Sequence, residues 1–125
     1  MKYKLDESKP IYIQIKEYIE DLIINETIKT GERIPSTNEF ATYYKINPAT
    51  AAKGVNELVM EDILYRRRGI GMFVTENARE MLMEKRKAKF YETYILPLKD
   101  EATKLDITSE QLIEMINRGG KSYDD

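Results

Sequence analysis

Two helix-start signals stand close together near the middle of this chain, and they leave room for little except two short helices joined by a sharp turn. Ser36-Thr37-Asn38-Glu39 reads as a capping box, in which the Ser hydroxyl takes a backbone N–H of the first turn and the Glu carboxylate reaches back. Asn47-Pro48 restarts a helix almost at once, with Asn as N-cap and Pro at the first helical position, where its missing N–H costs nothing. Phe40, Ala41 and Tyr44 supply the inner face of the first helix. Thr50, Ala51, Gly54, Val55, Leu58 and Val59 carry the second to about Asp62. Lys45-Ile46 between them is a tight connection. Such a pair, its second helix opening on small polar side chains, is a helix-turn-helix pattern.

The flanking sequence completes a domain over residues 8–75. Upstream, Ile11, Ile15, Tyr18, Ile19, Leu22 and Ile23 recur at helical spacing between about Ser8 and Thr27, with Ser8 as candidate N-cap and Pro10 in the first turn. Thr30-Gly31 interrupts that pattern, and Ile34-Pro35 forces an extended step. Downstream, residues 64–74 place two short apolar segments around the basic, glycine-containing tip Arg66-Arg67-Arg68-Gly69-Ile70-Gly71, which predicts a β-hairpin. A helix-turn-helix followed directly by a hairpin is a winged helix. The expected fold is mainly α with this one small hairpin.

After Thr75 a second segment, residues 76–120, has a different character. A helix is expected from Asn77 to Leu96, broken or kinked at Pro97. Thr108-Ser109-Glu110-Gln111 is a further capping box, opening a last short helix through Leu112, Ile113, Met115 and Ile116 that ends at Arg118-Gly119-Gly120. Lys121–Asp125 reads as a polar tail. Met81, Ala88, Tyr91 and Ile95 form one apolar stripe, and some 50 residues are too few for an independent core, so pairing with a second copy of the chain is expected. Tyr91, Tyr94, Met81, Met83 and Phe90 are weighed second as the lining of a small-molecule effector pocket, since few polar groups accompany them.

Composition removes several function classes. The chain has no cysteine and no histidine, which excludes disulfides, thiol nucleophiles, the Ser-His-Asp triad and most transition-metal sites. No cofactor and no metal are expected. A carboxylate pair such as Glu61 and Asp62 survives that cut, but no nucleophile or phosphate-cradling loop accompanies it, so an enzyme ranks last. No apolar run is long enough to span a membrane, and the lysines of the first residues precede no apolar core, so the cytoplasm is the expected compartment. The net charge of −2 argues at first against nucleic acid. Residues 33–74, however, carry six basic against four acidic side chains, and residues 75–125 nine against eleven. The reading half is mildly basic and the excess acid lies in the tail.

Pro10-Ile11-Tyr12-x-Gln14-Ile15, Gly31-Glu32-Arg33-Ile34-Pro35-Ser36, Glu39-Phe40-Ala41 and Arg67-Arg68-Gly69-x-Gly71-x-Phe73-Val74 resemble, in order and spacing, the GntR family of bacterial transcription regulators. The short tail is similar to that of the YtrA-like subfamily, which implies dimerisation through a few helices. Asn47-Pro48-Ala49-Thr50 resembles the start of that subfamily's recognition helix. The chain departs from the pattern at Asn38, Pro48 and Ala52, where many members carry Arg, so no operator sequence follows from the resemblance.

The expected interface is then a recognition helix over residues 47–62 and a wing over 64–74. Asn47, Ala49 and Thr50 are short enough to enter a major groove about 12 Å wide, and Lys53 follows one turn later. The N–H groups at the helix start suit a phosphate oxygen. Ser36, Thr37 and Asn38 open the preceding helix and would position the backbone, while Arg33 reaches the same strand or stays in solvent. At the wing tip Arg68 and Gly69 rank first and Arg67 next, because alternation prevents all three arginines from facing one groove. The expected function is a homodimeric repressor that binds a palindromic double-stranded DNA operator. The alternative is a winged-helix protein-interaction module without sequence-specific DNA binding.

Overall fold

The structure, a computed structural model, describes residues 5–119; the expected tail Lys121–Asp125 lies outside them. The first helix, α1 (Ile11–Ile24), starts two residues later than Ser8 would place it. Pro10 occupies the N-cap position with no side-chain cap. Ser8 instead donates its N–H and hydroxyl to the Asp6 carboxylate at 2.9 and 2.8 Å. The first turn is tied down by the buried Gln14 amide, which accepts from Asp6 N–H at 2.6 Å and donates to the carbonyls of Asp6 and Lys9. A residue inside the helix thus fastens the preceding segment to α1, and no side chain caps the helix start.

The next two helices, α2 (Thr37–Tyr44) and α3 (Pro48–Met60), begin where their caps predict. Lys45 between them takes the left-handed conformation, φ 56°, which turns the chain within one residue. The hairpin follows as β1 (Leu64–Arg67) and β2 (Gly71–Val74), paired antiparallel with Leu64 opposite Val74 and Arg67 opposite Gly71. The extended step before α2 proves to be more than a linker. Ile34 N–H bonds to Met72 C=O at 3.0 Å, Gly31 N–H to Val74 C=O at 2.9 Å and Val74 N–H to Glu32 C=O at 3.0 Å. Residues 31–34 thus line the outer side of β2, with Arg33 and Phe73 forming a bridge.

One core underlies all of this. Ile15, Ile19 and Ile23 of α1 meet Phe40 of α2, Ala51, Val55 and Leu58 of α3, Leu64 and Val74 of the hairpin, and Ile34. The helix α4 (Ala78–Phe90) adds Ala78 and Leu82, both fully buried. The chain divides into two compact units between Lys85 and Arg86, so the opening turns of α4 belong with the winged helix.

The second unit is almost without a core of its own. Helical conformation does not stop at Pro97: a π-helical turn, Tyr91–Ile95, leads directly into α5 (Leu96–Lys104). Proline removes one N–H and collides with the carbonyl four residues back; a wider turn just before it takes up both faults. Thr108 caps α6 (Ser109–Asn117) through the expected box with Gln111. Among the described residues of this unit Ala102 alone is buried, while Tyr91, Tyr94, Leu105, Ile113, Met115 and Ile116 are exposed.

Candidate nucleic-acid interface

Local sequence fixes the two helix starts that would meet a nucleic acid. Ser36 Oγ accepts from Glu39 N–H at 3.1 Å and Glu39 Oε1 from Ser36 N–H at 2.7 Å. The Ser36 backbone bond, then its hydroxyl, hold the Glu39 carboxyl below the usual Glu value, helped by the Arg33 charge. Thr37 is half-buried and Asn38 exposed.

At α3, Asn47 Oδ1 accepts from Ala49 N–H at 2.7 Å, and Asn47 C=O from Thr50 N–H at 2.9 Å and Ala51 N–H at 3.2 Å. Pro48 has no N–H. The N–H groups of Ala49, Thr50 and Ala51 are therefore all taken by Asn47. The side chains of the helix start are better placed. Asn47, Ala49 and Lys53 are exposed and Thr50 is half-buried, whereas Ala51, Gly54 and Val55 face the core. Lys53 Nζ lies over the ring of Tyr12, 4.0 Å from its centroid.

The wing gives its three arginines three environments. Leu64 is buried and Arg66, two residues on, shares its side of the strand; Arg66 Nη2 donates to Asn56 Oδ1 of α3 at 3.2 Å and ties the wing to the helix. On the other side Arg67 stands 4.9 Å over the Phe73 ring, which stacks on Tyr65 at 5.8 Å. Arg68 sits in the turn with Gly69 at φ 77° and has no hydrogen-bond, ion-pair or ring partner among the described residues. Arg33 joins the wing from the neighbouring strand. Its stem lies against Gly71, where a Cβ would stand 2.7 Å from Arg33 Nε.

The acidic end of α3 is partly compensated internally. Lys16 Nζ pairs with Glu61 at 2.5 Å and Glu57 at 3.4 Å, and Lys85 Nζ with Glu20 at 2.8 Å and Glu61 at 3.2 Å. Burial works against the charge on Glu61, but the bonds from Lys16 and Lys85 outweigh it and its carboxyl stays below the usual Glu value. Burial likewise opposes the Lys16 charge, and the bonds to Glu61 and Glu57 raise its ammonium above the usual Lys value. Glu61 is thus committed to two lysines, while neighbouring Asp62 takes φ 62° and offers its carbonyl to Thr75 Oγ1 at 2.7 Å.

Sequence reasoning overlooked Tyr12 and Asn56. Asn56 stands three residues after Lys53, a spacing that puts both on one helix face and would have drawn attention to it. Tyr12 lies on another helix and carries no such local signal. The stripe assigned to pairing is accessible at Met81, Ala88 and Tyr91 and half-buried at Ile95.

Residues 11–74 match the family model for bacterial regulatory proteins of the gntR family. The chain is 39% identical over 77 residues to the HTH-type transcriptional repressor YtrA of Bacillus subtilis (strain 168), a stretch covering 62% of this chain and 59% of that protein. A solved GntR family transcriptional regulator from Listeria monocytogenes has a TM-score of 0.76 at 33% identity, over 92% of this chain and 99% of its own. The DNA-binding domain of AraR, solved in complex with operator ORX1, has a TM-score of 0.52 at 32% identity, over 60% of this chain and 92% of that one. Matched over more than half of its length, with the helix-turn-helix and wing in place, this chain belongs to the GntR family of bacterial regulatory proteins.

Proposed function

We propose that this chain is a sequence-specific DNA-binding transcriptional regulator, a cytoplasmic homodimeric repressor of a palindromic operator. The observation that carries this reading is the exposed opening of α3, with Asn47, Ala49 and Lys53 outward, beside a wing fastened to the same helix through Arg66 and Asn56. Ala49 and Thr50 suit apolar or hydroxyl contacts to base edges, and Lys53 a base edge or phosphate. Ser36, Thr37, Asn38 and Arg33 take backbone contacts that set the register, and Arg67, Arg68 and Gly69 meet the backbone or minor groove beside it. AraR, of similar fold over this region, was solved on an operator, and YtrA is named a repressor; both support the reading.

Pairing through Met81, Ala88, Tyr91 and Ile95 would cover the exposed apolar side chains and present two recognition helices about one helical turn apart. An effector would add regulation. The reading is tested by gel shift of the purified chain on DNA from upstream of its own coding sequence. A discrete retarded band that survives a scrambled competitor and loosens steeply with salt is expected. No band at low salt overturns it and leaves the protein-interaction module.

A further inference from the structure

Helix α3 carries a single basic side chain, Lys53, and its ammonium lies on the face of an aromatic ring from another helix. Lys16 and Lys85 are both committed to carboxylates, but among the described residues none pairs with Lys53. The ring position is built into the fold. A Cβ on Gly54, the residue after Lys53, would stand 2.5 Å from the carbonyl oxygen of Tyr12, so the two backbones touch where the lysine emerges. That approach fixes the ring relative to the root of the lysine stem.

An exposed lysine loses much rotamer freedom when its amine settles on a phosphate or a base edge. A ring that already holds the amine removes part of that loss before binding, and does so without withdrawing the charge as a carboxylate would. We propose that Tyr12 is a positioning residue of the nucleic-acid interface, its ring face pre-orienting the Lys53 ammonium for contact with duplex DNA. The inference rests on the DNA-binding reading above.

The test measures anisotropy of a labelled duplex that the wild-type chain selects from a random-sequence pool. Tyr12→Phe keeps the ring and should bind within about two-fold of wild type, while Tyr12→Leu should bind about two- to five-fold more weakly. In a Lys53→Met background Tyr12→Leu should cost nothing further. An equal loss in both backgrounds, or tighter binding by Tyr12→Leu, overturns the inference and leaves the DNA-binding reading standing. A wild-type chain that selects no duplex overturns both. The Lys53 ε-methylene protons supply a readout free of DNA and of any variant: shifted upfield by the ring they support the proposal, and at their ordinary position they overturn it.

Discussion

At the scale of single residues, the wing shows how neighbours of one type acquire separate roles. Arg66 is bound to Asn56, Arg67 lies on Phe73, and Arg68 at the turn has no partner among the described residues. Arg68→Ala is therefore expected to weaken binding to the selected duplex several-fold, lower the salt slope by about one, and leave the melting temperature unchanged. Unchanged binding would remove the wing tip from the interface. Strand alternation made part of this legible in the sequence, since it forbids three consecutive arginines from facing one way. Which arginine does what was not legible, because Asn56 and Phe73 reach them only through the fold. Asn47 itself takes the N–H groups of Ala49, Thr50 and Ala51, a cost that the cap signal in the sequence does not display.

At the scale of elements, α1, α3 and α4 are joined by the lysine–glutamate network around Glu61. With its carboxyl held below the usual Glu value, Glu61 contributes stability that is present above that usual value and is lost as pH falls through the depressed one. Lys16, raised, contributes stability that is present below the usual Lys value and is lost as pH rises through the raised one. The Glu61 side chain is 37% exposed, so solvent screening keeps the effect small. Glu61→Gln should cost on the order of 0.5–1 kcal/mol at pH 7, and thermal melts should show its difference from wild type narrowing as pH falls below the usual Glu value. A difference that does not narrow with acid would assign the loss to packing. The starts of α2, α3 and α6 were legible because each is set by a cap within three residues, whereas α3 ends at Met60, two residues short of Asp62. One expectation failed at this scale: Ser8 is not the cap, because Asp6 holds its N–H and hydroxyl while Gln14, buried inside α1, fastens residues 6–9 to the helix. Of the break or kink expected at Pro97, the break does not occur, and a π-helical turn precedes the proline. Neither event leaves a local mark in sequence.

At the scale of the whole molecule, the charge of −2 averages a winged helix in which Glu20, Glu57 and Glu61 are paired with Lys16 and Lys85, and a tail rich in exposed apolar and acidic side chains. Composition alone could not separate them. If the exposed face of the second unit pairs copies of the chain, Tyr91→Asp with Ile95→Asp should sediment as a monomer with its helix content intact. Its affinity for a palindromic duplex should fall about a hundred-fold while a half-site binds as before. A double variant that remains dimeric would move the pairing surface elsewhere. Gly54 bears on how such a molecule can be redirected to new DNA. With the backbones of α1 and α3 touching there, even the helix-favouring exchange of Gly54 for Ala would collide and push α3 off its seat. If α3 reads the operator as proposed, new operator preferences would come from exchanging side chains at 49, 50 and 53 on a helix whose seat against α1 stays where it is, a socket for interchangeable readers.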